Sequence, residues 1–214
     1  MIKDNIKEIH SKIEDICLKN NRKSNDITII AVSKTRAVGE IQKAVDAGLN
    51  VLGENKVQEI MDKYDELERE VKWHMIGHLQ TNKVKYIADK VELIHSVDSL
   101  KLLKEINKRA FQNHRIINVL IQVNVAKDEA KFGIETDDLT GFLVEASKLD
   151  NIKVEGLMTI VPFDIDKENV RPYFKKMKEI FDDMKNLELM NWKCHFHPME
   201  QVTDYDIAIE EGSN

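Results

Sequence analysis

Lys34 is the residue best placed for covalent chemistry in this sequence. It stands in Ala31-Val32-Ser33-Lys34-Thr35, directly after the apolar, β-branched run Ile27 to Val32. An amine shielded from water at the end of a buried strand can offer its lone pair to an aldehyde and form a Schiff base. The plain alternative is a solvated lysine at a strand end, where most charged side chains lie. Further along, Gly53 to Glu59 reads GENKVQE. There Gly53 permits a tight turn and Asn55 sits where it can cap the following helix. His74 to Lys83 reads HMIGHLQTNK and sets His78 and Gln80 past another strand end, with Asn82 and Lys83 opening the next helix. No serine–histidine–aspartate arrangement or metal-ligand spacing accompanies His78, so a hydrogen-bonded loop residue is its plain reading. Lys131-Phe132-Gly133 follows a later strand, and Met158 with Thr159 closes another, read as packing at the mouth of the fold. In Cys194-His195-Phe196-His197 the two histidines share one face of a strand and the cysteine takes the other. Two ligands on one face fall short of the three or four that zinc requires, so no metal site is expected.

The elements that must position these residues alternate. Ile2, Ile6, Ile9, Ile13 and Ile16 step by four and three, which predicts a first helix with an isoleucine face. Ile27 to Val32 suits a strand buried on both faces. Helices are then expected near 38–48, 56–69, 81–89, 99–112, 137–148 and 168–188. Strands are expected at 51–52, 71–76, 91–95, 116–125 and 152–158 and around 192–197. Seven strands alternating with helices imply right-handed βαβ units and a parallel sheet. No GxGxxG follows the first strand, which disfavours a dinucleotide-binding sheet. The expectation is a single α/β domain over 1–214: a TIM-type (β/α)8 barrel with an extra N-terminal helix, its eighth strand absent from this chain. In such barrels chemistry sits at the carboxyl ends of the strands.

Composition narrows the function. The chain has 214 residues, 42% hydrophobic and 33% charged, with a net charge of −6. A mildly acidic balance argues against a nucleic-acid surface. No apolar run approaches the roughly 20 residues of a membrane span. The amino terminus carries acids and reads as neither a signal nor a transit peptide. Two cysteines, Cys17 and Cys194, make no disulfide framework. A reduced, cytoplasmic protein is expected.

Together, AVSKT, GENKVQE, HMIGHLQTNK, KFG, GLMTI and DYDIAIEEGS resemble, in order and spacing, the pyridoxal phosphate homeostasis proteins, single-domain relatives of the alanine racemase barrel. The resemblance runs from about residue 27 to 213, and GHLQTNK with GLMT is its most specific part. It implies pyridoxal 5′-phosphate (PLP) as cofactor, held as a Schiff base on Lys34, with Asn55, His78 and Met158 around it. It also implies a carrier of PLP without a turnover reaction, PLP-dependent apoenzymes as recipients, and a monomer or homodimer.

Two departures stand against the family pattern. Where relatives carry an SMGMS-like phosphate-binding segment, this chain has Pro198-Met199-Glu200-Gln201-Val202. The sequence also ends at Asn214, before a VRIGT-like strand. The resemblance therefore leaves two alternatives: a small PLP-dependent enzyme of the lyase or racemase kind using Lys34, or a truncated copy with impaired PLP binding. Racemisation is disfavoured, because TRAVGE after Lys34 is not the racemase pattern and no second domain brings an opposing base.

Overall fold

The computed structural model describes residues 1–67, 70–128, 131–162, 166–185, 187, 192–196 and 204–214, with 192–196 described by backbone alone. Seven strands form one parallel sheet: β1 (Ala31–Val32), β2 (Val51–Glu54), β3 (Lys72–Met75), β4 (Val91–Val97), β5 (Ile117–Gln122), β6 (Ile152–Met158) and β7 (Trp192–Phe196). Their spatial order is their chain order, β1 to β7. A doubly wound sheet would reverse direction part-way. Unbroken sequential order is the mark of a barrel wall, and among the described residues β1 and β7 each have one neighbour. The expected barrel is what the structure has, with seven strands among the described residues.

The helices are α1 (Ile2–Lys19), α2 (Val38–Asp46), α3 (Val57–Lys63), α4 (Leu100–Gln112), α5 (Leu139–Ala146), α6 (Arg171–Lys185) and α7 (Tyr205–Glu210). The helix expected near 81–89 is a 3₁₀ turn, Thr81–Tyr86. Alternation along each strand sends one set of side chains outward to the helices and the other into the lumen. Trp73, Met75, Ile94, Val119 and Leu157 join the outer core with α4 and α5 residues such as Leu103, Ile106 and Phe142. Leu93, Leu120 and Met158 form a separate cluster. On α4, Ser99 caps the first turn by accepting a hydrogen bond from the Leu102 amide.

On the isoleucine face of α1, Ile6 and Ile13 are buried and Ile2, Ile9 and Ile16 half-buried. Ile13 and Cys17 pack with Ile209 of α7, alongside Ile9, Ile16, Ile27 and Ile29. Arg22 ties the same region together, donating to the Ile209 carbonyl at 2.5 Å and to Asn214 Oδ1 at 2.7 Å. Between this layer and the strands lies a cavity of 440 Å³ lined by Ile9, Ile13, Val32, His74 and His95, among others.

The first strand departs from expectation. Only Ala31 and Val32 pair, with Leu52 and Gly53, and Val32 is half exposed rather than buried on both faces. A run of β-branched residues favours extended backbone, but burial depends on neighbours, and β1 has one among the described residues. Gly53 is likewise not a turn residue. It lies within β2, where a Cβ would come within 2.9 Å of Ile30 and Ile76 side chains, so its role is close packing.

Candidate functional site

The four candidate residues all stand at the carboxyl ends of strands. Lys34 follows β1, Asn55 follows β2, His78 follows β3 by three residues, and Met158 ends β6. The first three therefore occupy adjacent positions on one rim, while Met158 is set apart from them by β4 and β5. Among the described residues no hydrogen bond links Lys34 to the other three.

Lys34 is exposed, not shielded as the sequence suggested, because the chain turns away immediately after the short β1. Among the described residues nothing pairs with its amine. Its neighbours are held firmly. Ser33 is buried, its amide donates to the Gly53 carbonyl at 3.0 Å, and its hydroxyl donates to Glu54 Oε1 at 2.7 Å. Thr35 has φ of 61°, a left-handed conformation that costs a β-branched residue about 1–3 kcal/mol. Its amide donates to Glu59 Oε2 at 2.7 Å.

Beneath this turn lies a polar cluster that sequence reasoning missed. Glu54, at the end of β2, is fully buried. Lys63, at the end of α3, donates to Glu54 Oε1 at 2.7 Å, to Glu59 Oε2 at 2.8 Å and to the Ser33 carbonyl at 2.8 Å. All three ammonium protons are thus used. Burial works against the charge on Lys63, but the two carboxylates outweigh it and raise its pKa. Glu59 is held below the usual carboxylate range by its bond to Lys63 and by the Thr35 amide. Glu54 Oε2 has no hydrogen-bond partner among the described residues. A local signal was present: Glu59 and Lys63 are four apart on one helix, with the acid first.

Asn55 does not cap α3. Lys56 holds that position with no side-chain bond, because Asn55 still belongs to the turn leaving β2. Instead the Asn55 backbone packs against Gly77, where a Cβ would lie 2.4 Å from the Asn55 carbonyl oxygen. Next to it, His78 is exposed, pairs with Asp98 at 3.2 Å and stacks on Phe132 with ring centroids 3.9 Å apart. Phe132 belongs to the Lys131–Gly133 segment, which is anchored by Gln122 donating to the Phe132 carbonyl at 2.9 Å. Gly133 adopts φ of 141° there, and a Cβ at this position would lie 2.7 Å from Asn124 N, so no larger residue fits. Met158 is fully buried with Leu93 and Leu120. Thr159 is buried and donates to the Val123 carbonyl at 2.9 Å, which makes it a structural residue of the rim.

Lower in the lumen, His74 Nδ1 and His95 Nε2 are 3.0 Å apart in a buried pair. One ring must donate and the other accept, so at least one is neutral. The backbone of Cys194 and His195 lies in β7. His197 and the divergent Pro198–Val202 segment lie outside the described residues. Cys17 is a buried free thiol whose pKa burial raises.

Over residues 5–196 the chain matches the family model of the alanine racemase N-terminal domain, and that match defines its class, a barrel of this type. It is 40% identical to the pyridoxal phosphate homeostasis protein of Aquifex aeolicus, over 98% of this chain and 92% of that protein. A crystal structure of a protein from Bifidobacterium adolescentis superposes with a TM-score of 0.91 and 29% identity, covering 99% of this chain and 90% of that one. A structure of PipY from Synechococcus elongatus with PLP bound superposes with a TM-score of 0.78 at 28% identity, covering 95% of each chain. The chain thus belongs to the family of pyridoxal phosphate homeostasis proteins.

Proposed function

We propose that this chain binds PLP covalently through Lys34 and serves as a carrier in intracellular PLP homeostasis, without a turnover reaction of its own. The observation that carries this reading is the place of Lys34: at the carboxyl end of β1, on a rim turn whose flanking residues are both clamped. A bound aldehyde cofactor supplies an electrophilic carbon. When the neutral Nζ adds to that carbon, one water leaves and a C=N bond joins protein and cofactor.

The residues around Lys34 fit such a group. Asn55 and His78 follow β2 and β3, the next two strands along from β1, and offer polar side chains along the same rim. The Asp98 carboxylate orients His78, and Phe132 covers one ring face. Met158, further along the rim on β6, is fully buried with Leu93 and Leu120 and fills the barrel interior. The PLP-bound PipY structure and the names of the relatives support the ligand.

Exposure of Lys34 suits a carrier. A lysine of an apoenzyme can attack the C=N carbon, take over the cofactor and release Lys34 as a free amine, with no net gain or loss of water. PLP-dependent apoenzymes are therefore the expected recipients. The described residues contain no helix long and apolar enough to cross a membrane, and a buried free thiol agrees with a reduced, cytoplasmic setting. A titration of the protein with PLP, followed by visible absorbance, tests the reading. Saturable binding that transfers to an added apoenzyme supports a carrier, and an absence of binding refutes it.

A further inference from the structure

We infer that Glu59, Lys63 and Glu54 form a positioning network for Lys34, acting on the cofactor through the backbone on either side of it. The inference rests on the reading of Lys34 as the attachment point. Lys63 binds the Ser33 carbonyl and Glu54 binds the Ser33 hydroxyl, immediately before Lys34. Glu59 binds the Thr35 amide, immediately after it. Lys63 then joins the two carboxylates to each other. The tripeptide Ser33-Lys34-Thr35 is thus gripped at both ends and free in the middle.

The left-handed φ of Thr35 shows why a grip is required. A threonine left to itself would relax toward the β or right-handed region, swinging the Lys34 Cα–Cβ bond to another direction. The Glu59 carboxylate holds the amide of that residue in the unfavourable conformation. The cluster also explains a lysine that is buried at a helix end although lysines seldom are. It ties α3 to β1 and β2, so that the start of the βα loop carrying the amine is set by two strands and a helix rather than by the loop itself. Preorganisation of this kind removes the ordering cost of binding.

The test compares Glu59→Ala, Glu59→Gln and the double variant Glu59→Ala with Thr35→Gly, using PLP itself as probe. Three properties are read: PLP affinity, the visible circular dichroism of bound PLP, and Lys34 labelling after borohydride reduction. Glu59→Ala should still label at Lys34 but bind about tenfold more weakly, with reduced visible dichroism from a loosely oriented cofactor. Glu59→Gln, which keeps an acceptor for the Thr35 amide, should recover most of the dichroism. Glycine takes positive φ without strain, so adding Thr35→Gly keeps the chain folded and should recover only part of the dichroism lost in Glu59→Ala, since the Glu59 grip stays absent. Unchanged affinity and dichroism in Glu59→Ala, or in the double variant should the single one not fold, would overturn the network. A wild-type chain that fails to label at Lys34 refutes the attachment reading instead, whatever the variants do.

Discussion

Gly77→Ala probes the packing of the rim at a single atom. Gly77 stands between β3 and His78, and its Cβ would lie 2.4 Å from the Asn55 carbonyl oxygen and 2.7 Å from the Asn55 Cα. Both are backbone atoms, so no side-chain rotation relieves the clash. Reaching an ordinary contact of 3.4 Å requires a relative shift of about 1 Å between the two rim loops. Gly77 resists that shift, since its carbonyl accepts from Ser96 Oγ at 2.6 Å and its amide bonds the Glu54 carbonyl at 3.4 Å. Overpacking of this kind costs about 1–3 kcal/mol. For a chain of this length each kcal/mol lowers the melting temperature by about 2–4 °C, so a loss of about 2–12 °C is expected. Because the displaced atoms carry Asn55 and His78, PLP affinity should fall as well, by about tenfold for each 1.4 kcal/mol of strain felt in the complex. Thermal unfolding and PLP titration of the purified variant measure both. A variant with wild-type melting temperature and wild-type affinity would show that the rim is not tightly packed at Asn55 and that the geometry of the two loops does not matter for binding.

Two further outcomes follow from the cluster below Lys34. Lys63→Met leaves the fully buried Glu54 without its cation and should cost about 3–5 kcal/mol in urea unfolding, partly recovered by adding Glu54→Gln; a cost below about 1 kcal/mol would contradict the pairing. The pKa of Glu59 is lower in the folded chain than in the unfolded one, so its contribution is complete above about pH 4.3 and fades as pH falls through the folded value. Glu59→Gln should therefore lose less melting temperature than wild type between about pH 6 and about pH 3.5, and equal losses would contradict the assignment.

Particular residues show what the sequence could and could not reveal. The isoleucines of α1 were legible because a helix repeats every 3.6 residues and local spacing alone reports its face. The barrel was legible from the rhythm of strands and helices, and its sequential strand order followed from short right-handed crossovers. The extent of β1 was not legible, since Ile27 to Ile30 suit extended backbone at least as well as the paired Ala31 and Val32, and only the neighbouring strand decides which of them join the ladder. Lys34 stood out by its place at a strand end, and Asn55, His78 and Met158 through the family resemblance, yet their surroundings were not legible. The exposure of Lys34 depends on a turn at Thr35 that threonine does not advertise. The Glu54–Lys63 pair depends on how α3 returns along β2, and the His74–His95 pair on the register of β3 with β4. Contacts set by packing between elements leave little trace in local spacing.

Borohydride reduction of the PLP-loaded protein, followed by peptide mapping, tests the central claim most directly. One labelled lysine, Lys34, is expected, with loss of all labelling in Lys34→Ala and the melting temperature of the free protein unchanged. Label spread over several surface lysines, or persisting in Lys34→Ala, would contradict it.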